Sequence, residues 1–294
     1  MTKALVLSGG GSVGIAWQTG LAAGLARHGV DLAGADFIVG TSAGSSVGAQ
    51  LALGSDLEER LGSYERSAGA AGAADPPDRA PDRSMAERMT RFMAMMGELI
   101  DAEPGVRRTA IGRFALEADA LPEDQFLALF SFLKDAAWPD RYACTAVDAE
   151  SGEFVVWDAK ASAPLDRAVA SSCAVPGLFS PITIGGRRYM DGGMRSGTNA
   201  DLAVGHDRVL VISLMTGARA ASADPRMARL FQTMDGEQKV LADAGASVEV
   251  LGPDKGAADV MGMNLMDPAI APRSALEGAR QGEEIADRIG RFWG

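Results

Sequence analysis

Two stretches decide how this chain folds: Lys3-Ala-Leu-Val-Leu-Ser-Gly-Gly-Gly-Ser-Val-Gly14 and, one helical segment later, Asp36-Phe-Ile-Val-Gly-Thr-Ser-Ala-Gly44. Lys3–Leu7 and Asp36–Val39 are short continuous apolar runs, the mark of parallel strands buried on both faces. Between them, residues 15–28 space Leu21 and Leu25 as a helix does, with Gly29 suited to the C-cap. Small apolar residues from Ala43 to Leu53 predict a second helix packed closely under the sheet. The order strand, helix, strand, helix predicts an α/β fold with a mainly parallel central sheet and three layers, α/β/α.

Further along, residues 68–83 are rich in Ala, Gly, Pro and Asp and read as an exposed loop. Ser84-Met-Ala-Glu87 reads as a capping box opening a helix to about Ile100, and a further helix is expected over Glu123–Ala137. Residues 55–138 are thus expected to be a helical insertion. Met85, Met89, Met93 and Met96 would share one face of it, either as a lipid-facing lid or as a surface packed on the core. The sheet resumes with Arg141–Val147, Glu153–Trp157, Arg208–Ser213 and Ser247–Leu251, and a helix over Pro272–Phe292 closes the chain, with Phe292-Trp293 read as a docking anchor. No internal repeat occurs, and one domain over residues 1–294 is the simplest organisation.

Composition narrows the function. Of the 294 residues, 47% are hydrophobic and 23% charged, a globular balance. The net charge of −11 argues against nucleic-acid binding and against tight attachment to an anionic membrane. Transient contact with neutral or dispersed lipid is compatible with it. Cys144 and Cys173 are expected to be buried free thiols, and with His28 and His206 they share no metal-ligand spacing. No apolar run reaches the roughly 18 residues of a membrane span. The opening residues have no signal-peptide pattern, so a cytoplasmic location is expected.

The chemistry concentrates in three places. Gly9-Gly-Gly-Ser-Val-Gly14 fits G-x-G-x-x-G between a strand and a helix, where backbone N–H groups face an incoming negative charge, either a pyrophosphate or an oxyanion. A dinucleotide site would end the next strand in an acidic residue. Here that strand ends in Gly40-Thr-Ser-Ala-Gly44, a G-x-S-x-G on a strand-to-helix junction, the setting of a nucleophile elbow for Ser42. A serine nucleophile needs a base. His206 sits just before a buried strand and His28 near a helix C-terminus. Asp191, in Tyr189-Met-Asp-Gly-Gly193, follows a strand and has two glycines, Gly192 and Gly193, to leave space around it.

Taken together, the three motifs resemble the patatin-like phospholipase family in order and spacing, over about residues 3–201. The stretch Ala170-Ser-Ser-Cys-Ala-Val-Pro-Gly-Leu-Phe-Ser-Pro181 is similar to that family's lead-in to its aspartate. The resemblance implies an α/β/α fold and a Ser42–Asp191 dyad. It also implies an oxyanion hole at Gly9, Gly10, Gly11 and Ser12, and hydrolysis of acyl esters, often of phospholipids, without metal or cofactor. Where the family commonly carries a basic residue, this chain has Val13; backbone donors survive that change, but a cationic side chain's contribution does not. Two other readings remain open from sequence: a non-catalytic lipid-binding member of the same fold, and a dinucleotide-binding oxidoreductase built on Gly9–Gly14.

Overall fold

The computed structural model describes residues 1–71, 83–216 and 225–294. One eight-stranded sheet organises them. Its parallel part runs in the order β3 (Tyr142–Asp148), β2 (Phe37–Gly40), β1 (Lys3–Leu7), β7 (Arg208–Ile212), β8 (Ser247–Leu251). Three antiparallel strands gather on β3: β4 (Phe154–Trp157) and β6 (Arg187–Asp191) pair with it directly, and β5 (Ile182–Ile184) pairs with β6. The sheet is therefore mainly parallel, with an antiparallel margin.

The register along β3 is the feature that places the site. Cys144 pairs with both Gly40 and Trp157, and Ala146 pairs with both Asp191 and Val155. A strand residue has one neighbour on each side, so β4 holds one edge of β3, while β2 and β6 share the other. They meet end to end: β2 finishes at Gly40 and β6 at Asp191, two residues of β3 apart, or about 7 Å. Thr145 lies between them.

Alternation along the strands feeds two cores. Leu5, Leu7, Ile38, Tyr142, Cys144, Leu210 and Ile212 face α1 (Gly11–Arg27), α2 (Ala43–Ala52), α7 (Leu165–Ser172), α9 (Lys255–Met261) and α10 (Ala271–Trp293). Ala4, Val6, Val39, Ala143, Val209 and Val211 face the opposite layer, where α8 (Pro225–Asp243) contributes Leu241 and the turn at 200–203 contributes Ala200 and Ala203. The expected three layers are present.

Helix α1 begins at Gly11, four residues before the expected start, so the glycine motif is itself the first turn of the helix. The reason is tertiary packing that overrides the low helix propensity of glycine. Helix α10 lies against α1 at backbone distance. A Cβ on Gly20 or Gly24 would stand 1.9 and 2.2 Å from the carbonyls of Ala275 and Ala279, and one on Gly278 would stand 2.2 Å from that of Trp17. Trp17 adds a hydrogen bond from Nε1 to Gln281 Oε1. The docking role expected of the C-terminus holds for Trp293, which is buried and donates Nε1–H to the carbonyl of Asp31.

Between α2 and β3 the described residues contain four helices: α3 (Leu57–Ala71), α4 (Arg83–Glu98), α5 (Pro104–Glu117) and α6 (Glu123–Ala128). Most of the loop expected at 68–83 falls outside the described residues, as do the side chains of Ser84 and Met85. The helix expected over Glu123–Ala137 stops at Ala128. Its apolar spacing passes through a 3-10 turn at Ser131–Leu133 and ends where Asp135 adopts φ 61°. The expected methionine face of α4 is rotated. Phe92 is its buried centre, packed with Ile111, Ala115, Val147 and Met190, and Met89, Met95 and Met96 flank it. Met93 is 58% exposed. Helix α4 thus packs on the core.

Substituting Val for Gly20 places branched atoms where the α10 backbone now lies, and should lower the melting temperature by roughly 5–10 °C. Gly236→Ala, in α8 with open space around it, should leave it unchanged or raise it. Thermal denaturation of the two variants beside the parent measures the difference.

Candidate active site

Ser42 stands at the sharp junction of β2 and α2 with φ 54° and ψ −122°, a backbone state that costs a non-glycine residue roughly 1–3 kcal/mol. The flanking glycines make the turn physically possible. A Cβ on Gly40 would lie 2.3 Å from the Gly44 carbonyl oxygen, and one on Gly44 would lie 2.1 Å from that of Leu7. The strain is held from both sides. The Ser42 N–H donates to Ser172 Oγ at 3.0 Å, and the Ser42 carbonyl accepts from Ser45 Oγ at 2.6 Å and Cys173 Sγ at 3.1 Å. Residues 172 and 173 end α7, inside the 170–181 stretch noted in the sequence. Cys173 and Cys144 are free and buried. Burial raises both thiols, Cys144 to about 12, so neither supplies a thiolate nucleophile at neutral pH.

Asp191 ends β6 and is 2% exposed; Ser42 is 9% exposed. The carboxylate accepts the Gly193 N–H at 2.7 Å, which uses the Asp-Gly-Gly turn to orient it. Burial pushes the Asp191 pKa up to about 7, against opposing contributions from the Ser42 hydroxyl and the Gly193 N–H. The two side chains are therefore neighbours that sense one another, although no tight hydrogen bond has closed between them. Such bonds often tighten only when substrate is bound.

The glycine loop lies on the other side of Ser42. A Cβ on Gly9 would be 3.3 Å from Ser42 Cβ, so the absence of a side chain is what lets the loop approach. The Gly9 N–H itself is engaged by the Gly197 carbonyl at 3.1 Å, which corrects its expected place among the oxyanion donors. The N–H groups of Gly10, Gly11 and Ser12 have no backbone acceptor among the described residues and sit at the positive end of α1. The Leu214 side chain packs on Gly10 and Gly14, and the Leu265 backbone carbonyl and Met266 Sδ close over Gly11. Val13 is fully buried, with its N–H spent on the Leu265 carbonyl at 3.1 Å. Its side chain belongs to the core, not to the cleft.

His206 is excluded by position. Its ring stacks on Phe37 at 5.4 Å, at the start of β2, and Nδ1 faces the Ala203 carbonyl. Ser42 lies beyond the other end of that strand, five residues or about 15 Å away. His28 is an exposed helix cap. Among the described residues no cluster of three His, Cys, Asp or Glu side chains forms a metal site, and no helix is long and apolar enough to cross a membrane.

One further residue belongs to this site and was missed in the sequence. Asn199 is fully buried in a left-handed conformation, and its amide reaches both the elbow and the Asp-Gly-Gly turn. A lone Asn in the run Gly-Thr-Asn-Ala, eight residues past the aspartate, carried no signal beyond its tolerance of positive φ.

A strained serine at an elbow, a buried aspartate beside it and backbone amides at a helix N-terminus are features that serine-dependent acyl transfer employs. The model of the patatin-like phospholipase family matches residues 5–204, well over half of the chain, and the chain belongs to that family. Membership supports hydrolysis of lipid esters as its class of activity. Among solved structures, VipD from Legionella pneumophila aligns with a TM-score of 0.44 and 14% identity, over 98% of this chain and 67% of that one. The type III effector protein ExoU aligns with a TM-score of 0.41 and 17% identity, over 98% of this chain and 53% of that one. No curated protein matches the sequence significantly.

Because burial raises Asp191 above its unfolded value near ~3.9, its ionisation destabilises the folded state as pH rises from about 4 through about 7. Asp191→Asn should therefore melt several degrees higher than the parent at pH 8 and within a degree or so of it at pH 4.5. Melting curves at the two pH values test this.

Proposed function

We propose that the protein is a serine acyl hydrolase acting on carboxylic esters of lipids, with Ser42 as nucleophile and Asp191 as base. The observation that carries the reading is the buried Asp191 carboxyl, raised to about 7, beside a serine held in a strained elbow. A free carboxylate near ~3.9 is a poor base for a hydroxyl, and the shift brings Asp191 close to the ideal for general-base catalysis at neutral pH.

In the proposed reaction, Ser42 Oγ attacks the ester carbonyl carbon while Asp191 takes its proton. The carbonyl oxygen becomes an oxyanion received by the N–H groups of Gly10 and Gly11, with Ser12 N–H beside them. Each such donor is worth roughly 2.7–4 kcal/mol of transition-state stabilisation. Collapse breaks the bond to the alkoxy oxygen, and protonated Asp191 returns its proton to the leaving alcohol. Water, deprotonated by Asp191, then attacks the acyl-enzyme; the acid leaves and Ser42 recovers its proton. The apolar side chains of Leu214 and Met266 beside the glycine loop suit an acyl chain. A net charge of −11 favours neutral or dispersed lipid over an anionic bilayer.

Hydrolysis of p-nitrophenyl esters of graded chain length tests the proposal. Ser42→Ala and Asp191→Asn should each lower kcat/KM by about 10³-fold or more, while His206→Ala keeps parental activity. If His206→Ala is as inactive as they are, the two-residue mechanism is wrong; if the parent hydrolyses no ester, a non-catalytic lipid-binding role replaces it. The sign of the pH dependence is fixed by the base. Below pH 7 Asp191 is protonated and cannot accept a proton, so kcat/KM should rise through an apparent pKa of about 7 and level off above it.

A further inference from the structure

Asn199 occupies the point where the nucleophile elbow, the central strand and the aspartate turn come together. From a fully buried left-handed position (φ 50°, ψ 39°) its Nδ2 donates to Thr41 Oγ1 at 3.0 Å and to the Ser196 carbonyl at 2.8 Å. Longer contacts of 3.4 Å reach Thr145 Oγ1 and the Gly192 carbonyl. Its Oδ1 accepts from Arg195 Nη1 at 2.8 Å. The amide orientation is forced, because an arginine only donates and backbone carbonyls only accept. Thr41 immediately precedes Ser42, and Gly192 immediately follows Asp191. Thr145 bridges them, with its Oγ1 2.9 Å from Thr41 Oγ1 and directly against Gly192.

The amide is itself held from outside. Arg195 is fixed by two hydrogen bonds to Asp201, at 2.9 and 2.6 Å. On either side of Asn199, Thr198 Oγ1 and the Ala200 N–H both donate to the buried Glu237 of α8. The segment is clamped in a conformation that asparagine tolerates and most residues do not.

We infer that Asn199 is a positioning residue that sets the Ser42–Asp191 separation by tying Thr41 and Gly192 to the same side-chain amide. The inference rests on the proposed hydrolase reading. The two strands are not paired with one another: β3 sets the spacing of their ends, and the side chains on those ends are aligned only by groups that span the gap. Thr145 and Asn199 span it, one from the sheet and one from the loop above.

The test uses the full chain, with kinetics on a p-nitrophenyl ester and the rate of Ser42 labelling by a fluorophosphonate. Asn199→Gly keeps the left-handed backbone and removes the amide. It should lower kcat and the labelling rate by about 10-fold or more with KM changed less than ~3-fold, because alignment and not binding is lost. Thr41→Val, which deletes only the hydroxyl, should show a smaller loss of the same kind. The double variant should be no worse than Asn199→Gly alone, because both act through one link. A folded Asn199→Gly that labels at the parental rate overturns the role, and so do losses that multiply in the double variant. If Asn199→Gly does not fold, Thr41→Val decides: slowed labelling at unchanged KM upholds the role, and parental labelling overturns it. A parent chain that takes no label and hydrolyses no ester removes the hydrolase reading and this role with it, an outcome distinct from a parent that reacts normally.

Discussion

The structure turns on two strands that stop facing one another along a single edge of β3. Strand β2 brings Ser42 from one direction and β6 brings Asp191 from the other, with Thr145 between their ends. Strand geometry thus acts as a ruler. A residue added to or removed from the turn between β5 and β6, or between β2 and α2, would be felt directly in the distance between the two side chains. Neither strand pairs with the other, and across the gap that β3 sets, the buried polar cluster of Thr41, Thr145 and Asn199 ties the two ends together. Polar groups at that depth are costly unless satisfied, so a fully bonded cluster specifies one arrangement.

Around that gap the sequence spends small residues wherever backbones must touch. The elbow requires Gly40 and Gly44, and the approach of the glycine loop requires Gly9. The same logic extends 15 Å or more along α1, where Gly20 and Gly24 meet the backbone of α10. That contact matters to the site because the N–H groups of Gly10, Gly11 and Ser12 are the first turn of α1. A helix seated firmly along its length holds those donors in place before any charge develops, which is the condition for strong oxyanion stabilisation.

Much of this was legible in the sequence, and what was not has a physical reason. Lys3–Leu7 was readable to the residue because a central parallel strand is a continuous apolar run, and Ser247–Leu251, at the sheet edge, because Val248 and Val250 alternate with Glu249. Ser42 and Asp191 were readable because their neighbouring glycines mark turns with room for a side chain. The start of α1 was misread since Gly11 and Gly14 argue locally for a loop; their contacts with Leu265, Met266 and Leu214 decide otherwise, and those residues lie 200 or more positions away. The packed face of α4 was misjudged because methionines were counted and Phe92 was not. Asn199 was invisible because its importance comes from what surrounds it. The end-to-end placement of β2 and β6 depends on registers between distant strands, which no local pattern encodes.

The central claim is that burial turns Asp191 into a base suited to neutral pH, poised against Ser42. The most direct measurement is the carboxyl carbon titration of Asp191 by NMR, assigned by its absence in Asp191→Asn and repeated in Ser42→Ala. The account predicts a midpoint near 7 in the parent. It also predicts a higher midpoint in Ser42→Ala, where the hydroxyl that favours the charged form is gone. An Asp191 resonance that titrates in the ordinary carboxylate range near ~4, unmoved by loss of the Ser42 hydroxyl, would contradict it.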